Sequence, residues 1–215
     1  MMTSRCRLVL IAPPIADPDA LASVLGDALR GGDVATVILP QGDLNEADFQ
    51  KVAARAVPVI QEKGVAALVC GEERIAMRVK ADGLHIDGPA TALREAVEKH
   101  APQLIVGGGN PQTRHAALDA GEAQPDYVFF GKLRGDIKPE PHSKNLALAE
   151  WWSEMVQIPS LVMGGLDPES ALTVAEHGAD FVALGSAVFA EPAQAAQIVA
   201  AVNALLDEKA PRFDD

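Results

Sequence analysis

The sequence predicts an α/β protein that folds as a single (β/α)8 barrel, a TIM barrel, over residues 1–215. Short apolar runs alternate with longer amphipathic segments eight times along the chain. Several of these runs are apolar throughout, which is typical of parallel strands that are buried on both faces. Hydrophobic residues make up 48% of the chain but aromatic residues only 4%, which suits helices packed on a parallel sheet. Eight strand–helix units in one chain of this length favour a closed barrel.

Each strand is predicted from one apolar run. The runs are RLVLIA (7–12), VATVILP (34–40), AALVCG (66–71), GLHID (83–87), QLIVGG (103–108), DYVFFG (126–131), PSLVMGG (159–165) and DFVALG (180–185). Helix starts are predicted at Asp17-Pro18-Asp19 and Asp167-Pro168-Glu169, because proline and acidic residues favour the first helical turn. The alternative is a doubly wound sheet of eight strands. It would carry a glycine-rich turn after the first strand, where this chain reads IAPPIADP, so the barrel is favoured.

The charge and the cysteines exclude several classes of function. A formal net charge of −12 argues against nucleic acid or an anionic membrane surface as a partner. No apolar stretch approaches the roughly 20 residues that a membrane-spanning helix needs. Cys6 and Cys70 lie in apolar runs, so we expect free, buried thiols in a reducing compartment and a cytoplasmic protein.

Two strand ends predict a binding site for a small phosphorylated ligand. In (β/α)8 barrels the functional groups lie at the carboxyl ends of the strands, and a phosphate often binds after strands 7 and 8. Predicted strand 7 ends at Gly164-Gly165 and predicted strand 8 ends at Gly185-Ser186. Such endings present backbone N–H groups that can hold a phosphate. The simpler alternative is that both segments are only strand-to-helix turns.

Three stretches resemble the thiamine phosphate synthase family: ADGLHI (81–86), DYVFFG (126–131) and IPSLVMGGLDPESALTVAEHGADFVALGSAVF (158–189). The resemblance implies a barrel over essentially the whole chain. It also implies a reaction that joins a hydroxymethylpyrimidine diphosphate to a thiazole phosphate with Mg²⁺ and releases pyrophosphate. It further implies that Gly165 and Gly185-Ser186 hold the thiazole phosphate.

The other half of the site departs from the family's pattern. The family has an Arg-x-Lys pair for the diphosphate after strand 2, where this chain has Pro-Gln-Gly at 40–42. After strand 3 the family has Asn-Asp, with the Asp a metal ligand, and here Gly71-Glu72 follows. A second metal-binding Asp is expected near Ala90, and only Asp87 is close to it. Glu72 and Asp87 are therefore the candidate ligands of a Mg²⁺ ion.

The long irregular segment at 131–145, after predicted strand 6, is the remaining source of cations. It carries Lys132, Arg134, Lys138 and Lys144, which could neutralise a departing diphosphate. Lys132 and Lys144 are candidate catalytic residues, with ordinary solvated lysines as the alternative. His85, inside predicted strand 4, is a third candidate, either as an acid–base group facing the pocket or as a buried structural histidine.

Three functions follow from these observations. The first is a thiamine phosphate synthase-like enzyme in which the segment at 131–145 replaces the missing diphosphate ligands. The second is a non-catalytic or regulatory barrel that keeps only the phosphate site, and the third is a Schiff-base aldolase that uses Lys132. A homo-oligomer is also open, because Trp151 and Trp152 point in different directions on one predicted helix and one ring is free for a contact.

Overall fold

The chain closes into a barrel of eight parallel strands. The computed structural model describes residues 5–213, and within them every strand pairs with its neighbours in chain order. The eighth strand returns to pair with the first, and Val9 lies opposite Ala183 at this closure. The predicted (β/α)8 barrel is confirmed, and the alternative of an open doubly wound sheet is wrong.

Each predicted apolar run contains one strand. The strands are β1 (Arg7–Ile11), β2 (Thr36–Pro40), β3 (Ala66–Cys70), β4 (Gly83–Ile86), β5 (Ile105–Gly108), β6 (Tyr127–Phe130), β7 (Ser160–Met163) and β8 (Phe181–Leu184). The α-helices of the described residues are α1 (Pro18–Ala28), α2 (Glu46–Gln61), α3 (Glu73–Val79), α4 (Ala90–His100), α5 (Arg114–Gly121), α6 (Ser143–Met155), α7 (Ser170–Glu176), α8 (Ser186–Phe189) and α9 (Ala195–Lys209).

One of the two predicted helix starts is confirmed, and the other lies later in the chain than predicted. The Asp17 side chain accepts a hydrogen bond from the backbone N–H of Ala20 at 2.7 Å, and α1 begins directly after it as predicted. Asp167 instead accepts from the N–H of Glu169 at 2.9 Å and closes a turn. Helix α7 consequently begins at Ser170, two residues after Pro168, where the prediction places its first turn.

Alternate residues of each strand face two different apolar layers. In β1, Leu8 and Leu10 pack against the helices, whereas Val9 and Ile11 point into the barrel. In β6, Phe129 points inward and lies beside the inner residues of the neighbouring strands. Both faces of each strand are therefore removed from water, which is the physical reason that the strand sequences are continuously apolar.

Aspartates that directly precede β4, β6 and β8 hold the amino ends of the strands together. The side chain of Asp82 accepts the N–H of Ala67 at 2.8 Å, and that of Asp126 accepts the N–H of Val106 at 2.7 Å. Asp180 repeats the contact with Ser160 at 2.8 Å. Bracing of this kind at the amino ends leaves the loops at the carboxyl ends free to form a site.

Two further expectations concern membrane-spanning helices and the two tryptophans of α6. Among residues 5–213, no helix combines the length and the apolar character that crossing a membrane requires. Trp152 is buried and donates its indole N–H to the carbonyl of Ile158 at 2.7 Å. Trp151 is half-buried beneath the guanidinium of Arg114, which lies 5.1 Å from its ring centre. One of the two rings thus packs in the helix layer, as predicted.

Candidate functional site

A cavity of about 460 Å³ opens at the carboxyl ends of β1, β2 and β8. Its walls are mainly apolar and include Pro13, Ile15, Leu44, Phe49 and Phe189. The polar and charged residues that border it are Gln41, Asp43, Arg134, Asp136 and Ser186. A largely apolar cavity with a few polar groups at this end of a barrel is the expected form of a small-molecule site.

The end of β7 is formed by two glycines that touch the neighbouring strand and loop. The N–H of Gly164 donates to the carbonyl of Ala183 in β8 at 2.9 Å, and the N–H of Gly165 donates to the hydroxyl of Ser170 at 2.9 Å. A Cβ on Gly164 would lie 2.6 Å from the Leu184 side chain. A side chain at 164 would therefore require the Leu184 side chain to move.

The end of β8 presents one backbone N–H group to the mouth of the barrel. Gly185 ends the strand, and the N–H of Ser186 at the start of α8 donates to the carboxylate of Asp136. Both Gly185 and Ser186 border the cavity. The group of Ser186 that makes this contact is its main-chain N–H.

The segment between β6 and α6, residues 131–142 and called the strand-6 loop below, lies across the ends of β7 and β8. The carbonyl of Lys138 accepts the N–H of Leu166 at 2.7 Å, and the carbonyl of Pro139 accepts the N–H of Asp167 at 3.2 Å. A Cβ on Gly165 would overlap the Pro139 carbonyl oxygen. Glycine at 165 thus allows the loop backbone to lie directly on the end of β7.

The lysines of this region do not line the cavity. Lys132 is exposed, and so is Lys144, whose ammonium lies 3.4 Å from the side-chain oxygen of Gln112. Arg134 is the loop cation that borders the cavity, and its guanidinium lies 3.8 Å from the carboxylate of Asp43. The positive charge of the loop is therefore brought to the mouth by Arg134.

His85 points into the barrel below the cavity. Its Nδ1 lies 2.7 Å from the hydroxyl of Tyr127, and its Nε2 is buried without a hydrogen-bond partner among the described residues. Burial lowers the pKa of His85 from its ordinary value of 6.5 to about 3, so the ring is neutral near pH 7. The rings of His85 and Phe129 pack edge to face, with their centres 5.2 Å apart. The structure thus places His85 in the inner layer of the barrel, outside the lining of the mouth cavity.

The candidate magnesium ligands lie apart from any cluster of ligating side chains. Glu72 precedes α3 and Asp87 follows β4, and both are exposed. No three His, Cys, Asp or Glu side chains come together within residues 5–213 in a way that would hold a metal ion. These residues do not fit a preformed Mg²⁺ site, which needs carboxylate oxygens in near-octahedral arrangement.

The thiols are not activated. Cys6 is buried, as predicted, whereas Cys70 at the carboxyl end of β3 is only partly buried. Burial, together with the nearby carboxylate of Asp87, raises the pKa of the Cys70 thiol to about 12. Neither the thiolate needed for metal binding nor a nucleophile is available there near neutral pH.

Asp136 is the residue of this region that sequence reasoning missed. It is 4% exposed, although it lies in a loop rich in proline and charge. Its contact with Ser186 spans 50 positions of the chain, so no local sequence pattern predicts this contact. The available signal was only that an acidic residue stands in a long loop after strand 6.

Known proteins resemble this chain over most of its length. The family model described as thiamine monophosphate synthase matches residues 8–188. A thiamine-phosphate synthase of Rhodospirillum centenum is 35% identical over 202 residues, covering 94% of this chain and 98% of that protein. A thiamine-phosphate synthase of Hyphomonas neptunium is 32% identical, with 96% of each chain covered. The solved thiamine phosphate pyrophosphorylase of Pyrococcus furiosus superposes with a TM-score of 0.76 at 23% identity, covering 94% of this chain and 96% of that one.

Fold and site together define a (β/α)8-barrel protein with a cavity at the carboxyl ends of β1, β2 and β8. The family model spans most of the sequence, and two relatives exceed 30% identity over nearly their full length. The family of the protein can therefore be identified. The chain belongs to the thiamine monophosphate synthase family.

Proposed function

We propose that the chain is a thiamine phosphate synthase-like transferase. It joins a hydroxymethylpyrimidine diphosphate to a thiazole phosphate and releases pyrophosphate. One observation carries the proposal: the two strand ends that the family resemblance assigns to phosphate binding are adjacent, and the end of β8 borders the cavity. Strands β7 and β8 pair in parallel, so Gly165 and Gly185-Ser186 come to the same edge of the sheet.

In this proposal the backbone N–H groups after β7 and β8 bind the thiazole phosphate. The apolar walls of the cavity exclude water around the two rings, which strengthens every electrostatic contact inside. The departing pyrophosphate needs positive charge close to its oxygens. Arg134 supplies it at the cavity, and the exposed Lys132, Lys138 and Lys144 are available from the strand-6 loop and the first turn of α6.

Magnesium has no role in the steps derived for this chain. Glu72 and Asp87 are the carboxylates that the family resemblance offers, and they do not form a preformed site.

A second candidate is a non-catalytic barrel that binds a phosphorylated ligand. The end of β2 favours it, because Pro40 and Gln41 border the cavity where the family has the diphosphate-binding cations. A Schiff-base aldolase is not supported by the position of Lys132. That lysine is exposed, whereas an amine nucleophile of this type is activated by removal from water.

The test uses two substitutions at one position. Ser186→Ala keeps the backbone N–H, and Ser186→Pro removes it at the first residue of a helix, where proline is tolerated. Calorimetry with thiazole phosphate should give equal affinity for wild type and Ser186→Ala, and at least ten-fold weaker binding for Ser186→Pro. Equal affinity in all three proteins would show that the phosphate does not bind to the N–H group of residue 186.

Turnover separates the two candidates. Pyrophosphate release with both substrates and Mg²⁺ present, with the coupled product identified by mass, supports the transferase. Binding of thiazole phosphate to wild type without release of pyrophosphate, with a related synthase active in the same assay, supports the non-catalytic barrel.

A further inference from the structure

Three backbone N–H groups at the ends of β7 and β8 are taken by oxygens of the strand-6 loop. The N–H of Ser186 donates to the carboxylate of Asp136. The N–H of Leu166 donates to the carbonyl of Lys138 at 2.7 Å, and the N–H of Asp167 to the carbonyl of Pro139 at 3.2 Å. The loop therefore supplies to both strand ends the kind of oxygen acceptor that a phosphate would supply.

The loop also fills the space that a ligand would need. Its backbone at Pro139 and Glu140 lies so close to Gly165 that a single added methyl group would overlap it. On the β8 side, the Asp136 carboxylate lies 3.3 Å from the position of a Cβ on Gly185. A phosphate at Ser186 and this carboxylate cannot be present together, since both need the same donor and both are negatively charged.

Asp136 is an unusual residue to hold a loop closed. It is 4% exposed, and its single hydrogen bond among the described residues comes from Ser186. No Lys, Arg or His of residues 5–213 forms a salt bridge with it. A carboxylate removed from water without a cation is unfavourable, so the closed loop gains little from this contact beyond one charge-assisted hydrogen bond.

We propose that Asp136 is an internal competitor for the phosphate position, so that a phosphorylated ligand binds only by displacing this carboxylate and the strand-6 loop from the end of β8. The cations of the displaced loop can then approach a diphosphate from its new position. The proposal rests on the proposed function for the identity of the phosphate position. Its consequence is that closing the loop weakens phosphate binding. Ligand binding in turn exposes the loop, which carries a trypsin site after the exposed Arg134.

The experiment compares wild type with Asp136→Ala and with a control variant, Glu140→Ala. Glu140 is exposed and lies in the same loop, so both substitutions remove one negative charge from one segment. Inorganic phosphate is the probe, followed through the amide resonance of Ser186. The affinity for phosphate should rise about ten-fold or more in Asp136→Ala and change less than two-fold in Glu140→Ala. Asp136→Asn, which keeps the side-chain shape, should lie between wild type and Asp136→Ala.

Proteolysis gives an independent measurement. Phosphate should accelerate tryptic cleavage after Arg134 in wild type, whereas an ordinary lid would be protected by its ligand. In Asp136→Ala the cleavage should already be fast without phosphate. A melting curve of each variant ensures that the faster cleavage arises in the loop and not from global unfolding.

The outcomes separate the two proposals. Equal phosphate affinity in wild type and Asp136→Ala, with the Ser186 resonance shifted in both, overturns the competitor and leaves the phosphate position in place. No shift of Ser186 in either protein overturns the competitor and the phosphate position together. Protection of the loop by phosphate also overturns the competitor, because ligand and closed loop would then coexist.

Discussion

The two sides of the barrel mouth differ in what they are made of. On the β7–β8 side, main-chain N–H groups and tightly packed glycines form the edge of the site, and the strand-6 loop covers them. On the β2–β4 side, the strands end in Pro40-Gln41, in Gly71-Glu72 and at Asp87. The carboxylates there are exposed and unclustered.

The difference shows which half of such a site can change without loss of the fold. A cradle made of backbone N–H groups depends on strand register and on glycine, and both are also required by packing. Charged side chains at exposed strand ends can be replaced with little effect on the core. We therefore expect the β7–β8 side to vary less among related chains than the β2–β4 side.

Matched glycine substitutions on the two sides should give the largest effect. In Gly165→Ala the added methyl overlaps the Pro139 carbonyl, so the loop must move, and we expect a loss of up to about 3 kcal/mol in the free energy of unfolding. In Gly88→Ala the methyl would meet the Ala92 side chain at an ordinary 3.6 Å, and stability should change by less than about 0.5 kcal/mol. Urea denaturation measures the free energy of unfolding of both variants. Similar losses in the two would show that glycine is no more tightly packed on the β7–β8 side than on the β2–β4 side.

His85 provides a second, pH-dependent test of the interior beneath the β2–β4 side. Its pKa is about 3 when folded and near 6.5 when unfolded, so below pH 6.5 the unfolded chain binds the extra proton. Stability contributed by the neutral ring is complete above pH 6.5 and falls as the pH is lowered toward 3. Between pH 7.5 and 5 wild type should lose about 2 kcal/mol more than His85→Gln.

The control for this titration is His115→Gln, because the His115 side chain is 88% exposed. It should follow the wild-type pH dependence. The lowered pKa values of Asp33 and Glu73, which arise from their hydrogen bonds to Arg7 and Lys99, affect stability mainly below the chosen window. Identical curves for wild type and His85→Gln would mean that the buried ring takes up its proton without cost.

Adding a cation to the β2 side should give a smaller effect. Pro40 is half-buried at the rim of the cavity, and Pro40→Arg introduces a guanidinium at the end of β2. Calorimetry should show a three- to ten-fold gain in affinity for inorganic pyrophosphate, equivalent to about 1 kcal/mol. Pro40→Gln is the uncharged control, and an equal gain in both variants would exclude a charge effect.

The smallest effect is expected where the two sides touch. Arg134 and Asp43 face each other at 3.8 Å with side chains that are 57% and 98% exposed. Thermal denaturation of Arg134→Gln should show a change of no more than about 0.5 kcal/mol, because solvent screens an exposed ion pair. A clearly larger loss would indicate that the strand-6 loop is held to β2 as well as to β7 and β8.

Most of the fold could be predicted from the sequence because its signals are local. The eight apolar runs locate the eight strands, since burial on both faces leaves no room for polar alternation, as in Phe129 and Phe130 of β6. The glycines at 164–165 and 185 likewise mark strand ends that the structure brings to one edge. The predicted start of α7 lies two residues too early, because Asp167 closes a turn by accepting a hydrogen bond from Glu169.

The candidate side chains were harder to place, because a residue's position along the chain does not fix where a loop carries it. Lys132 directly follows β6 but is exposed, whereas Arg134, two residues later, reaches the cavity. His85 was correctly assigned to a strand, but only the barrel shows that it points at Tyr127 and is neutral.

The sequence by itself determined the barrel, the order of its strands and the glycine-bearing ends of β7 and β8, because apolar periodicity and glycine act over a few residues. The tertiary structure alone decided that the strand-6 loop lies on those ends and that Asp136 is bonded to Ser186, 50 residues away. Contacts over that distance depend on how a long loop folds back on the barrel, and no local propensity encodes this.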